Sequence, residues 1–438
     1  MAKILIAGIG GGEKRDGKYR ETNYSLEGKV YENRSFIASV IEEHFKIDKT
    51  IFIGTVGSMW DNLYEYYCKK YNIDYDEEYA MSLFETIVEA NKDMDISQLK
   101  IEKFNNIFNG NGKIEGRVTK YGVDSEQIFD NFNIILNLQD TLKDGDEVYI
   151  DITHSFRSNA MWMFLVMNFI TDLMDKNIEI KMISYGMFEI ADRTSNITPI
   201  IDLNAFYKLL KWIKGAQSFK NYGNSYLLLD NIENEELRKK LKTFSHAMNL
   251  NYIGTLKQNL NSLKKLLPEI DEMKGPGKLL IPQIVREFVK EFDGVKKDFI
   301  LQVRLAKWHY KQSRYAMAYI NINEAIKGYV ADELREFYPN KSEEELLDYA
   351  RKWFFKLEPR VSRPNFKKDN ENKKIIEYYK IFDHSRRVRN DIAHSLGQKD
   401  SAINDIISLE NYCAKLEDML SKEGFIYNWE LDNNILEK

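Results

Sequence analysis

At 438 residues the chain is longer than the roughly 250–300 residues over which a single hydrophobic core usually grows, so two or three domains are expected. A content of 43% hydrophobic and 13% aromatic residues argues against disorder, and 63 basic against 68 acidic side chains, a formal charge of −5, argue against a global basic field that would draw nucleic acid. The two cysteines, Cys68 and Cys413, lie too far apart to suggest a disulfide framework or a cysteine-built metal site, and no apolar run reaches the roughly 20 residues needed to span a bilayer.

The N-terminal stretch MAKILIAGIGGG reads as a strand rather than a signal peptide, so a soluble, cytoplasmic protein is expected. Short β-rich apolar runs follow in chain order: KILIAGIG (3–10), TIFIGT (50–55), DEVYIDIT (146–153) and IEIKMISYG (178–186). Between them lie RSFIASVIEEHF, SMWDNLYEYYCKKY, SEQIFDNFNIILNLQDTL and NAMWMFLVMNFITDLM, each long enough for a crossover helix. This alternation predicts a Rossmann-like, doubly wound, mostly parallel α/β sheet over 1–205. The last of these helices is apolar on nearly every side, as expected if it is covered all round.

From 206 to 438 helical periodicity replaces the strand signal, and an all-α region is expected. Tyr315, Tyr319, Ile322, Ile326, Val330 and Leu334 form one stripe, and Ile406, Leu409, Cys413, Leu416 and Leu420 another. The aromatic stripe reads as core rather than a platform for stacked bases. MKGPGK (273–278) is a breaker, and PRVSRPNFKKDNENKK (359–374) reads as a polar loop.

In a doubly wound sheet ligands bind beyond the carboxyl ends of the strands, which singles out three loops. Gly12 to Lys18 has the G-x-x-x-x-G-K spacing, but Tyr19 stands where a triphosphate loop needs a hydroxyl for magnesium. Gly8 and Gly10 are followed by Glu13 where a dinucleotide fingerprint needs its third glycine, so neither ATP nor NAD is supported. In GTVGSMW, Trp60 replaces the second glycine of a nucleophile elbow, and Ser58 is expected to cap the following helix and to donate to an anion. The third loop, DITHSFRSNAMW, places Thr153, His154, Ser155, Arg157 and Ser158 between a strand end and a helix start, where hydroxyls, an imidazole, a guanidinium and free backbone N–H groups suit an anion. The bland alternative is a capped helix with a surface ion pair.

Near the C-terminus, SRRVRNDIAHS carries Arg389, Asn390 and His394. An arginine followed five residues later by a histidine also occurs as Arg304 and His309, so the spacing alone decides nothing. Arg389 stays cationic, while His394 has an ordinary pKa near 6.5 and can move a proton at neutral pH. The set suits metal-free phosphodiester cleavage: histidine as general acid or base, arginine against developing phosphate charge, asparagine as an orienting partner. RNA would supply its own nucleophile, the 2′-hydroxyl. Residues five apart on a helix diverge by about 140°, so a single copy is an incomplete site. A basic helix with a surface histidine is the plain alternative.

The two halves together resemble the Csx1/Csm6-related ribonucleases of type III CRISPR systems. The DITHSFRS loop resembles that of the CRISPR-associated Rossmann-like sensor domain, CARF, and RNDIAH (389–394) resembles the signature of the helical HEPN nuclease domain. The resemblance implies a cytoplasmic homodimer whose sensor domains bind a cyclic oligoadenylate and whose HEPN domains then cut single-stranded RNA, with 2′-hydroxyl attack giving a 2′,3′-cyclic phosphate. It implies catalysis by Arg389, Asn390 and His394 paired across a two-fold axis, with Arg386 and Arg387 adding a local basic patch. Ligand contacts are expected from Thr153, His154, Ser155, Arg157 and Ser158, and by topology from Gly10 and Ser58. No metal, other cofactor, DNA or membrane is implied, and the lean toward the Csx1 side points to cyclic tetra-adenylate. A non-catalytic sensor, a sensor that degrades its own activator, and a Rossmann-type small-molecule enzyme with a helical cap are the competing expectations.

Overall fold

The computed structural model describes the chain except residues 13, 16–17, 20, 111, 155–156, 174–175, 192–195, 274, 276, 364–365, 367–368, 395–398 and 437–438. The side chains of 14–15, 18, 109, 157–160, 162, 166, 173 and 399–401 also lie outside the description. The chain divides into two compact units, Met1–Lys208 and Leu209–Lys438.

The strands of the first unit are β1 (Lys3–Gly8), β2 (Lys14–Arg15), β3 (Lys18–Tyr19), β4 (Thr22–Leu26), β5 (Lys29–Arg34), β6 (Lys49–Gly54), β7 (Ile114–Val118), β8 (Glu147–Asp151), β9 (Glu179–Gly186) and β10 (Ile197–Asp202). Its helices are α1 (Ala38–Phe45), α2 (Trp60–Tyr71), α3 (Glu77–Glu89), α4 (Ile101–Asn109), α5 (Ser125–Leu136) and α6 (Arg157–Leu173). Among the described residues one eight-stranded sheet runs in the order β5-β4-β10-β9-β8-β1-β6-β7. Strands β9, β8, β1, β6 and β7 pair in parallel, whereas β10 runs antiparallel to β9 and β5 to β4.

The parallel strands are near-continuous apolar runs because helices cover both faces, and the period of two sorts their side chains between two cores. Leu5, Ala7, Phe52 and Tyr149 face a core shared with Val40, Trp60, Tyr67 and Phe104 from α1, α2 and α4. Ile4, Ile6, Ile51, Ile53, Val148 and Ile150 face the opposite core, shared with Ile135 of α5 and Met163, Met167 and Ile170 of α6. The expectation that α6 is covered all round is corrected, since Met161 is 71% and Leu165 55% exposed. A run apolar on every side has two destinations, the sheet on one face and an unfilled surface on the other.

The second unit contains α7 (Asn204–Tyr222, whose first turns belong to the first unit), α8 (Tyr226–Leu229), α9 (Glu235–Leu250), α10 (Ile253–Asp271), α11 (Gly277–Glu291), α12 (Asp298–Lys311), α13 (Tyr315–Leu334), α14 (Glu343–Val361), α15 (Asn370–His394), α16 (Lys399–Leu420) and α17 (Phe425–Asn433). The expected polar loop at 359–374 is shorter than predicted. Helix α14 continues to Val361 with Pro359 inside it, and α15 begins at Asn370.

Helix α12 separates two cores. Leu301, Leu305 and Trp308 face the core of α7–α11, and Phe299, Val303 and Ala306 that of α13–α17. Helix α13 runs through the second of these, and the predicted stripe from Tyr319 to Leu334 is buried there. Ser342 opens α14 with a reciprocal capping box to Glu345, so the sequence pattern alone places that start.

Candidate functional site

The ends of β1, β6 and β8 bring Gly10, Ser58, Thr153 and His154 of the predicted ligand residues to one side of the sheet. Asp151, the last residue of β8, is fully enclosed, and its Oδ1 accepts from the Thr153 hydroxyl at 2.6 Å and the Thr153 N–H at 3.1 Å. The Thr153 hydroxyl in turn accepts from the N–H of Gly186 at 2.9 Å, tying the loop to the end of β9. Burial pushes the Asp151 carboxyl up to about 6, against the lowering effect of its Thr153 and Ser184 hydrogen bonds, and its Oδ2 has no partner among the described residues.

His154 follows on the same loop. Burial drives its imidazole down to about 4, so it is neutral at physiological pH, and its Nε2 is sealed from solvent without a partner among the described residues. Gly10 lies directly beneath it: a Cβ built there would meet the His154 carbonyl oxygen at 2.5 Å. Glycine is thus required for β1 and the β8–α6 loop to approach. Arg157 and Ser158 open α6, but their side chains, like all of Ser155, lie outside the described residues.

Ser58 takes a different role from the expected one. Met59 occupies the N-cap of α2, with no side-chain cap bond. The Ser58 hydroxyl, fully buried, donates to the Ile9 carbonyl at 2.9 Å and accepts from the Thr55 N–H at 3.0 Å. Both bonds face inward and lock the β6–α2 turn onto β1, so Ser58 shapes the site from behind rather than presenting a donor to an anion.

A cavity of about 200 Å³ opens beside this loop, bordered among others by Tyr19, Tyr24, Met59, His154 and Phe188. Sequence reasoning missed Tyr24 and Phe188. Phe188 sits in a short 3₁₀ turn after β9, and Tyr24 on β4, a strand with no apolar run to announce it. Asp151 could have been found, because an acid at the end of the buried VYID strand is a local anomaly.

In the second unit the two arginine–histidine pairs part company. Arg304 of α12 is ion-paired to Glu417 at 3.0 Å and donates to the Asp293 carbonyl at 2.9 Å. His309 is 1% exposed, with neither ring nitrogen partnered among the described residues, and burial together with the Arg314 charge drives it down to about 3. His309 belongs to the interior, and Arg304 is a partly exposed side chain held in an ion pair.

Arg389, Asn390 and His394 are exposed on the last turns of α15. Arg389 lies 3.4 Å from Glu324 of α13, whose carboxylate is also held by Lys327 at 2.7 Å. No hydrogen bond joins Arg389 to His394 among the described residues, in keeping with their divergence around the helix.

Helix α15 is fixed from several directions. Phe382 stacks on Phe354 at 4.0 Å between centroids, and the buried Ser385 hydroxyl accepts from Asn323 at 3.1 Å. His384 bridges to α16 through Tyr412 at 2.8 Å and Asp405 at 3.1 Å. Arg386 and Arg387 share the one carboxylate of Asp383, at 2.8 and 2.9 Å, which leaves the expected local basic patch one net positive charge from these three groups. Around the motif, Ile392, Ile403 and Ile407 are 41%, 69% and 52% exposed.

Comparison with known proteins bears on both units. Residues 4–189 match the family model for the CARF domain of CRISPR system endoribonuclease Csx1, and residues 208–296 that for the second domain of CRISPR-associated protein MJ1674. The N-terminal unit is therefore a CARF domain, a Rossmann-like α/β fold. A curated relative, CRISPR-associated protein MJ1674 of Methanocaldococcus jannaschii, is 34% identical over 346 residues, 74% of this chain and 53% of the relative. The chain thus spans about half the length of that relative. Beyond its CARF domain, the chain is similar over its matched length to a CRISPR-associated protein. Among solved structures, Enterococcus italicus Csm6 bound to cyclic hexa-2′-fluoro-hexa-dAMP aligns over 100% of this chain and 99% of that one, at 14% identity and a TM-score of 0.40, a likeness too weak to carry an argument.

Proposed function

We propose that the protein is a cyclic oligoadenylate-activated endoribonuclease that cuts single-stranded RNA without a metal, as a homodimer serving type III CRISPR defence. The observation that carries this reading is the pairing, in one chain, of a CARF domain with a helical unit that exposes Arg389, Asn390 and His394 while burying His309 of the competing pair and tying its Arg304 to Glu417. The helical unit acts as a HEPN nuclease domain. A general base takes the proton of the RNA 2′-hydroxyl, the 2′-oxygen attacks phosphorus, and the 5′-oxygen leaves with a proton from a general acid. His394 serves in this proton transfer, and Arg389 stabilises charge on the phosphoryl oxygens. The products are a 2′,3′-cyclic phosphate and a 5′-hydroxyl.

The diverging Arg389 and His394 side chains become one site when a second copy supplies its own pair across a two-fold axis. The exposed Ile392, Ile403 and Ile407 around the motif, and Met161 and Leu165 on α6, are the apolar faces on which such a dimer would close. The activator, cyclic tetra-adenylate in the leading form, binds the Thr153–Ser158 loop, with its phosphates toward the start of α6. Its preference for the cleaving arrangement shifts the equilibrium between two states.

The test is cleavage of a fluorescent single-stranded RNA in EDTA, with and without cyclic tetra- and hexa-adenylate, for the intact protein, Arg389→Ala and His394→Ala. Cleavage that needs one cyclic ligand and falls by about 10²-fold or more in either variant is expected. Tight ligand binding without cleavage would make the protein a non-catalytic sensor. Absence of binding would remove the sensor reading.

A further inference from the structure

Charge is unevenly spread along the chain. Residues 208–296 carry 16 basic against 10 acidic side chains, whereas the whole chain carries 63 against 68. The excess is concentrated in α9 and α10, for from 237 to 268 there are seven lysines and arginines and no acid. On α9 the exposed Lys239, Lys242, His246 and Asn249 fall within about 80° around the axis and form one stripe about 15 Å long. Neither lysine has a carboxylate within ion-pair distance among the described residues, and Glu235, one turn before Lys239, ends the stripe. A lysine stripe alone is a solvated helix face. What sets this one apart is an aromatic cluster at its C-terminal end, where Tyr222, Tyr226 and Tyr252 are 48%, 37% and 58% exposed. Their placement is built from the inside. The fully buried Ser225 donates its N–H to Ser245 Oγ at 2.8 Å and its hydroxyl to the Leu241 carbonyl at 2.9 Å, while the Ser245 hydroxyl donates to the Gly223 carbonyl at 3.1 Å. These bonds hold the turn between Tyr222 and Tyr226 against α9. Tyr226 Oη then meets His246 Nδ1 at 2.8 Å, and with the phenol as donor the ring proton sits on Nε2. The Tyr252 N–H donates to the Ala247 carbonyl at 3.0 Å, which seats Tyr252 where α9 ends.

We propose that this face of α9, with the tyrosines at its end, is a track that holds single-stranded RNA. Lys239 and Lys242 take phosphates, the tyrosine rings stack on unpaired bases, and His246 and Asn249 hydrogen-bond to phosphate or base edges. The inference rests on the RNA-cleaving reading above and deepens it, giving the substrate a holding surface apart from the Arg389–His394 motif. Unpaired lysines select an anion, and exposed aromatic rings select a nucleic acid over an acidic protein surface. Stacking needs bases that are free of a partner strand, so a single strand is favoured over a duplex. Two lysines neutralise few phosphates, which suits a local grip on a substrate that must be released and agrees with the acidic charge of the chain as a whole.

The test is equilibrium binding of the full chain, over a range of salt, to a fluorescent single-stranded RNA carrying 2′-O-methyl groups, which cannot supply the attacking hydroxyl. It compares Lys239→Gln with Lys242→Gln, Tyr252→Ala and Tyr252→Phe, with thermal melts confirming that each variant folds. Lys69→Gln with Lys92→Gln, two exposed lysines of the N-terminal unit, is the control for equal loss of charge. Loss of two phosphate contacts is expected to make the slope of log affinity against log salt shallower by about 1.4, while the control pair keeps the native slope. Tyr252→Ala is expected to weaken binding roughly 5- to 150-fold, and Tyr252→Phe, which keeps the ring, to stay near the native value. Native affinity and native slope in the folded lysine and Tyr252→Ala variants would overturn the track and leave the ribonuclease reading to its own cleavage test. Poly-glutamate bound as tightly as RNA, and lost with the same lysines, would overturn RNA in favour of an acidic protein partner. An intact protein that binds no single-stranded RNA would overturn both the track and RNA as the substrate.

Discussion

His309→Leu tests whether the two arginine–histidine pairs have been told apart correctly. The His309 ring is fully enclosed, both nitrogens lack partners among the described residues, and its pKa lies at about 3 against an ordinary 6.5. The unfolded chain therefore binds a proton that the fold refuses. The resulting stability is complete above pH 6.5, declines as the pH falls, and is exhausted near pH 3. Near pH 5 the gap of about 1.5 pH units below the unfolded value corresponds to about 2 kcal/mol, and near pH 7.5 to almost nothing.

Leucine is similar in volume and cannot protonate, so the variant should lose about 2 kcal/mol less than the intact protein when the pH is lowered from about 7.5 to about 5. At neutral pH it should be as stable or about 1 kcal/mol more so, because two unmet polar atoms disappear. Urea unfolding followed by tryptophan emission is the assay, since four of the six tryptophans, Trp212, Trp308, Trp353 and Trp429, lie in the C-terminal unit. RNA cleavage by the variant should match that of the intact protein. An unchanged pH dependence, or lost cleavage in a folded variant, would refute the assignment of His309 to the core.

Other outcomes follow from the same geometry. Asp151 has the opposite sign: its carboxyl is held up at about 6, so the fold favours the protonated form, and through this group the N-terminal unit should lose up to about 3 kcal/mol as pH rises from about 4 to 6. Asp151→Asn should flatten that slope in melts of the first unit. Gly10→Ala should destabilise the unit by about 1–3 kcal/mol and weaken cyclic adenylate binding, because the new methyl collides with the His154 carbonyl; a native melting curve would contradict this. Ile403→Asp with Ile407→Asp should leave the helical unit folded yet shift the protein toward monomer in sedimentation and lower cleavage, whereas unchanged sedimentation would move the dimer face elsewhere.

What could be read in the sequence is what rests on local pattern. Strands β1, β6, β8 and β9 are legible because burial on both faces demands continuous apolar runs, and the helical half is legible from its stripes. Strands β4, β5, β7 and β10 escaped notice. TNYSL and IEGRV bury only alternate residues, and KVYENR, at the sheet edge, buries one side chain firmly, so none of the three gives a strong run. The third loop stands out in the sequence because its polar residues are contiguous, and Ser155 with the side chains of Arg157 and Ser158 lies outside the described residues.

The tertiary structure decided everything that depends on direction and on distant neighbours. Arg304–His309 and Arg389–His394 share one spacing, yet α12 lies between two cores while the end of α15 reaches the surface, so the burial of His309 against the exposure of His394, rather than spacing, separates them. Ser58 has the residue type of a cap, but the β1 carbonyl beside it claims its hydroxyl. Tyr24, Met59, His154 and Phe188 border one cavity only because β6, β8 and β9 end, and the oppositely directed β4 begins, along the same side of one sheet. The chain's periodicities set which segments become strands and helices, because backbone geometry converts local apolar spacing into faces. Which polar atoms end up satisfied, buried or left facing a cavity follows from how those faces close on one another, and no local pattern encodes that.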